Sequence, residues 1–89
     1  MYIFVQMLGD WDDLRFFLTL AREGSLTAAA RRLDVSHPTV ARRVKDLEET
    51  IGARLFDRLP DRYALTMAGE DLVAEVERMF QSEDQHGRL

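Results

Sequence analysis

Eighty-nine residues with an ordinary apolar share of 46% suit one small domain that has to bury its core efficiently. The absence of cysteine excludes a disulfide framework and a thiolate metal site, and two isolated histidines, His37 and His86, do not make a ligand set. The net charge of −4 is unevenly spread: residues 1–25 carry −2, residues 26–58 carry +2 and residues 59–89 carry −4.

No run is long enough to span a membrane. The opening MYIFVQML is apolar but short, without a basic leader or a small-residue cleavage site, so it is not read as a signal peptide. A reducing, cytoplasmic setting is the expectation, with no membrane partner and no cofactor. Residues 1–9 form an N-terminal extension, in which Tyr2, Ile3, Phe4 and Val5 fit either a short strand or an unstructured lead. Met7 is a second candidate for the natural start.

The first helix is capped by Asp10, with Asp12 and Asp13 in its first turn, where negative charge suits the helix dipole. Trp11, Leu14, Phe17, Leu18 and Ala21 recur at helical spacing, widened by Phe16 and Leu20, and Gly24 sits where a left-handed cap is wanted. This helix is expected to pack across the next two helices as their support.

Ser25 caps a second helix that carries Leu26, Ala29, Ala30 and Leu33 on one face. The Ala29-Ala30 pair suits two helices crossing steeply over a short turn, which need small side chains where their backbones approach. Asp34-Val35-Ser36 breaks the pattern. Ser36 is the next N-cap, and Pro38 falls in the first turn, where its missing N–H is not needed. Val40, Val44, Leu47 and Ile51 then mark the apolar face of a third helix that ends at Gly52. Stepping about 100° per residue from Val40 turns Pro38, Thr39, Arg42, Lys45 and Asp46 outward. That outer face is able to enter a DNA major groove, where arginine can bind guanine through two hydrogen bonds and threonine or proline can touch a thymine methyl. Between Ala30 and Lys45 stand five basic residues, Arg31, Arg32, Arg42, Arg43 and Lys45, against one acid, Asp34. Acidic flanks around that basic unit should weaken non-specific binding and leave affinity strongly salt-dependent.

Leu55 and Phe56 before a Pro60-Asp61 turn, with Tyr63 and Leu65 alternating after it, suggest two short strands and a tight loop. Arg58 and Arg62 flank the tip of this wing and are placed to reach phosphates or the minor groove. Thr66 caps a last helix with Leu72, Val73, Val76, Met79 and Phe80 on one stripe. From Met67 to Glu83 it spans roughly 25 Å, longer than a small domain needs for its own core. Leu72, Val76, Met79 and Phe80 are therefore expected to form a dimer seam. The polar end SEDQHGRL is expected to fray.

The expected architecture is mainly α: a winged helix-turn-helix with a three-helix core and a short two-stranded wing, followed by a long linker and dimerisation helix. Residues 1–9 are the extension, 10–66 the winged domain, 67–84 the linker helix and 85–89 a frayed tail.

The chain resembles the N-terminal DNA-binding domain of the LysR-type transcriptional regulators. The resemblance rests on FFLTLAREGSLTAAARRLDVS, SHPTVARRVKDLEETIGARLFDR and ALTMAG, and covers Leu14 to about Phe80. It implies sequence-specific binding of double-stranded DNA by a homodimer paired through the linker helices, with a recognition helix at about 37–50 in the major groove and a wing at about 58–62 near the minor groove. The DNA-binding residues it implies, together with the residues' own chemistry, are Ser36, His37, Pro38, Thr39, Arg42, Arg43, Arg58 and Arg62. Three departures stand out: His37 replaces a usual glutamine, Ala41 a usual serine, and Asp61 occupies a wing position that is often basic. Family members also carry a C-terminal domain that senses a small-molecule effector. This chain ends after the linker helix and is read as a fragment of a longer regulator, with a free-standing domain as the other reading.

A different class of function is a dimerising interaction module that pairs with other regulators and has little DNA affinity of its own, for which the acidic balance, Asp61 and Ala41 speak mildly. An enzyme is not expected, since the carboxylates lie on solvated helix faces and no Gly-rich phosphate loop or metal spacing occurs.

Overall fold

The computed structural model describes the backbone of residues 11–88 and the side chains of residues 12–78. The expected extension 1–9, the Asp10 cap and the side chains of Trp11, Met79 and Phe80 lie outside the described residues. The elements in order are α1 (Trp11–Glu23), α2 (Leu26–Leu33), α3 (His37–Ile51), β1 (Phe56–Arg58), β2 (Tyr63–Leu65) and α4 (Met67–Arg88).

Local chemistry sets the breaks. Gly24 takes a left-handed φ of 80° after α1, and its N–H donates to the Leu20 carbonyl at 2.8 Å. The Ser25 hydroxyl accepts the Ala28 N–H at 3.1 Å, so the second helix is capped as its sequence requires. Asp34 ends α2 at a φ of 59°, a conformation aspartate tolerates better than most residues. The Asp34 N–H reaches the Arg31 carbonyl and the Val35 N–H reaches the Ala30 carbonyl at 3.0 Å, closing a Schellman motif. Val35 packs against the core, so the turn is held by an apolar contact as well. Gly52, at a φ of 83°, ends α3.

The core gathers Leu14, Phe16, Phe17, Leu18 and Leu20 from α1, Ala29 and Ala30 from α2, and Val40, Val44 and Leu47 from α3. Both alanines are buried, as a close crossing of α2 with its neighbours demands. Leu55 and Phe56 complete this core from the wing, and the Phe56 ring lies 5.5 Å from that of Phe17 and 6.0 Å from that of Tyr63. The wing is antiparallel, with Phe56 opposite Leu65 and Arg58 opposite Tyr63.

One expectation about α4 needs correction. Leu72 and Val76 are 4% and 2% exposed and belong to the domain's own core, so neither is free to form a dimer seam. Leu72 and Val76 join the cluster that holds Leu55, with Ile51 and Ala68 packed against it, and burying a leucine or valine there is worth about 1.5–3 kcal/mol. The helix is continuous through Arg88.

Candidate nucleic-acid interface

Ser36, His37 and Pro38 are exposed at the entrance of α3, Thr39 is half-buried, and Arg42, Lys45 and Asp46 are exposed one and two turns further on. Pro38 sits at the first turn, where no N–H is missed. The arrangement follows from the buried Val40, Val44 and Leu47, which fix the rotation of the helix and turn the opposite side to solvent.

Ser36 departs from its expected role. Its backbone begins the helix, with its carbonyl accepting the Val40 N–H at 3.3 Å, but its side chain caps no N–H. The Ser36 hydroxyl lies 2.9 Å from that of Thr39, and the two form an exposed hydroxyl pair on the outer face. Such a pair offers donors and acceptors to a base edge or a phosphate without losing a cap it never made.

The arginines divide. Arg42 points into solvent and makes no ion pair among the described residues. Arg43, one residue on, turns 100° around the helix and meets α1. Its guanidinium donates to the Asp13 carboxylate at 3.1 Å and stands 5.4 Å from the centre of the Phe16 ring. Arg43 thus braces α3 against α1. In the wing, Arg58 is exposed and lies over the Tyr63 ring at 5.9 Å. Arg62 pairs loosely with Asp61 at 3.7 Å, so the carboxylate offsets part of the charge at the tip. Arg31, Arg42, Lys45 and Arg58 form no ion pair among the described residues, so four cations on α2, α3 and the wing keep their charge unneutralised by a neighbouring carboxylate.

The wing is tied at its base. Tyr63 donates its N–H to the Gly24 carbonyl at 2.8 Å, and Leu59 donates to the Arg62 carbonyl at 2.8 Å across the loop. Glu48, in the last turn of α3, accepts the N–H groups of Leu55 and Phe56 at 2.8 and 3.3 Å. At the same end of the wing, the Thr66 hydroxyl donates to the Arg54 carbonyl at 2.6 Å and accepts the Gly69 N–H at 3.1 Å, capping α4 as expected. Gly69 is required there, since a Cβ would stand 2.2 Å from the Leu55 carbonyl oxygen. The sequence offers Glu48 only as part of the Leu-Glu that ends the recognition helix in the family pattern, with no role attached, although an acidic residue in the last turn of a helix opposes the helix dipole and so asks for a compensating partner.

A cation-bearing helix face beside a wing matches known proteins over most of the chain. Residues 11–70 match the model of the bacterial regulatory helix-turn-helix proteins of the lysR family. The chain belongs to the LysR family. The transcriptional regulator ClcR of Pseudomonas putida is 37% identical over 71 residues, which are 80% of this chain and 24% of ClcR. The CbnR DNA-binding domain, solved in complex with DNA, superposes with a TM-score of 0.77 at 31% identity, over 88% of this chain and 90% of that one. The BenM DNA-binding domain, solved with benA site 1 DNA, gives a TM-score of 0.77 at 27% identity, over 86% of this chain and 90% of that one. This LysR-family chain has the fold of those DNA-binding domains: a three-helix core with a two-stranded wing. It spans about a quarter of the length of the curated relatives it matches, which are named as transcriptional regulators.

Proposed function

We propose that this chain binds duplex DNA in a sequence-specific way, as the reading domain of a LysR-type transcriptional regulator. The observation that carries the proposal is the outer face of α3, where Thr39, Arg42 and Lys45 and the Ser36–Thr39 hydroxyl pair stand on a helix locked to the core by Val40, Val44 and Leu47. In this reading Ser36, His37, Pro38, Thr39 and Arg42 approach base edges in the major groove, while Arg58 and Arg62 reach phosphates or the adjacent minor groove. Arg43 contributes by holding the helix at its angle.

The same reading makes the chain half of a homodimer that pairs along α4, places it in the cytoplasm and leaves effector sensing to a further domain of a longer regulator. With Leu72 and Val76 buried within the domain, pairing falls to the part of α4 beyond them, including Met79 and Phe80. Two recognition helices then sit about one helical turn of DNA apart, or a multiple of it, on a partly palindromic site.

In vitro selection from a randomised duplex library tests this. Enrichment of a two-fold-symmetric site is the expected result, and its half-site should change in the His37→Gln variant. A chain that pairs with longer LysR-type regulators but enriches no duplex would instead be an interaction module.

A further inference from the structure

We propose that Glu48 is a positioning residue that clasps the root of the wing and sets the place of its arginines relative to the outer face of α3. The proposal rests on the DNA-reading function above. The clasp itself stands on hydrogen-bond geometry.

The antiparallel register shows why a clasp is needed. Ladder bonds run between Leu59 and Arg62 and between Leu55 and Thr66. With Phe56 opposite Leu65, the alternation of an antiparallel pair turns the Phe56 N–H away from β2. That donor sits on a buried residue and requires an acceptor. Glu48 supplies one oxygen, Oε2, to it and to the Leu55 N–H together. On the other strand the outward N–H of Tyr63 is taken by Gly24. The wing is therefore anchored on both edges, to the end of α1 through β2 and to the end of α3 through β1.

Glu48 forms no ion pair among the described residues, and the hydrogen bonds its carboxylate makes there are those to these two backbone amides. A negative group in the last turn of a helix is disfavoured unless it gains such charge-assisted bonds. Glu48 lies on the same helix as Arg42, and β1 ends at Arg58. One side chain thus joins the element that reaches into the groove to the strand that carries a wing cation. Duplex DNA presents groove and phosphates at a fixed spacing, so a wing free to swing would lose its phosphate contacts while groove contacts persist.

The test uses two readouts on the purified chain: amide hydrogen exchange, and a double-mutant cycle on the selected duplex. Glu48→Ala should speed exchange at Leu55 and Phe56 by about tenfold, with Val40 and Leu47 unchanged, because a charge-assisted bond to each amide is lost. Glu48→Gln, which keeps an acceptor at the same place, should restore part of the protection. On DNA, Glu48→Ala should weaken binding about tenfold. It should also shrink the penalty of Arg58→Ala while leaving that of Arg42→Ala intact. If Glu48→Ala does not fold, Glu48→Gln takes its place in the cycle, with smaller changes in the same direction. Unchanged exchange at Leu55 and Phe56 would overturn the clasp. Full additivity of Glu48 with Arg58 would overturn its positioning role. If the wild-type chain selects no duplex, the DNA-reading function fails separately, and the exchange result alone decides whether Glu48 holds the wing.

Discussion

Helices α3 and α4 bear similar apolar stripes and bury them in the same core, yet they place charge differently outside it: the exposed cations of α3, Arg42 and Lys45, precede its exposed acids Asp46 and Glu49, whereas the exposed face of α4 opens on acids. On α3 the buried Val40, Val44 and Leu47 leave Thr39, Arg42 and Lys45 facing outward. On α4 the buried Leu72 and Val76 leave Glu70, Asp71 and Glu77 exposed. The apolar stripe therefore says how a helix is held and not which partner it meets. The partner is written in what surrounds the stripe, hydrogen-bonding and cationic over the N-terminal half of α3 from Ser36 to Lys45 and acidic over the first turns of α4. A polyanion is attracted to the first surface and repelled by the second.

The comparison breaks most visibly at the core. Leu72→Ala should lower the unfolding free energy by about 2–5 kcal/mol, read as a shift of the urea midpoint at constant slope. A residue reserved for a dimer seam would leave that midpoint independent of the substitution in the monomer and change the association constant instead.

Next in size is the outer face of α3. Arg42→Ala should cost about 1–3 kcal/mol of discrimination at one base position, measured by competition between the selected duplex and single-base variants of it. Its melting temperature should stay close to wild type, because Arg42 makes no ion pair among the described residues.

Arg43→Ala should do the reverse. Loss of the Asp13 bond and of packing on Phe16 is worth about 1 kcal/mol of stability, given that the arginine is about one third exposed and screened by solvent. The intrinsic base preference should be unchanged. A variant with wild-type stability and altered base preference would make Arg43 a reader and erase the division between the two neighbours.

The smallest effect belongs to the wing tip. Asp61→Asn releases Arg62 from an exposed pair and should tighten DNA binding by a few tenths of a kcal/mol, most clearly at low salt. Weaker binding in that variant would mean that Asp61 supports the loop.

Much of this was legible in the sequence, for identifiable reasons. Helix rotation is fixed by apolar periodicity, so the burial of Val40, Val44 and Leu47 and the exposure of Arg42 could be read directly. Caps with one local partner, Ser25 and Thr66, were legible too, since they depend on residues three positions away. Features that depend on distant partners were not. Arg43 meets Asp13 across 30 residues, and although the rotation that turns Arg42 outward sets Arg43 beside the core face, nothing within α3 names Asp13 as its partner. The apolar stripe of α4 fits a dimer seam and a domain core equally, and the cluster around Leu55 that takes in Leu72 and Val76 decides between them. The Ser36 hydroxyl had a suitable cap position but found Thr39 instead.

In the proposed function Arg42 reads DNA and Arg43 holds the helix that presents it. Parallel selections from one randomised duplex library, with the wild-type chain, Arg42→Ala and Arg43→Ala, test it most directly. The wild type should select a symmetric site, Arg42→Ala the same site with one position relaxed, and Arg43→Ala the same site undiminished in preference. An identical site for wild type and Arg42→Ala, with preference lost in Arg43→Ala, would contradict that division of roles.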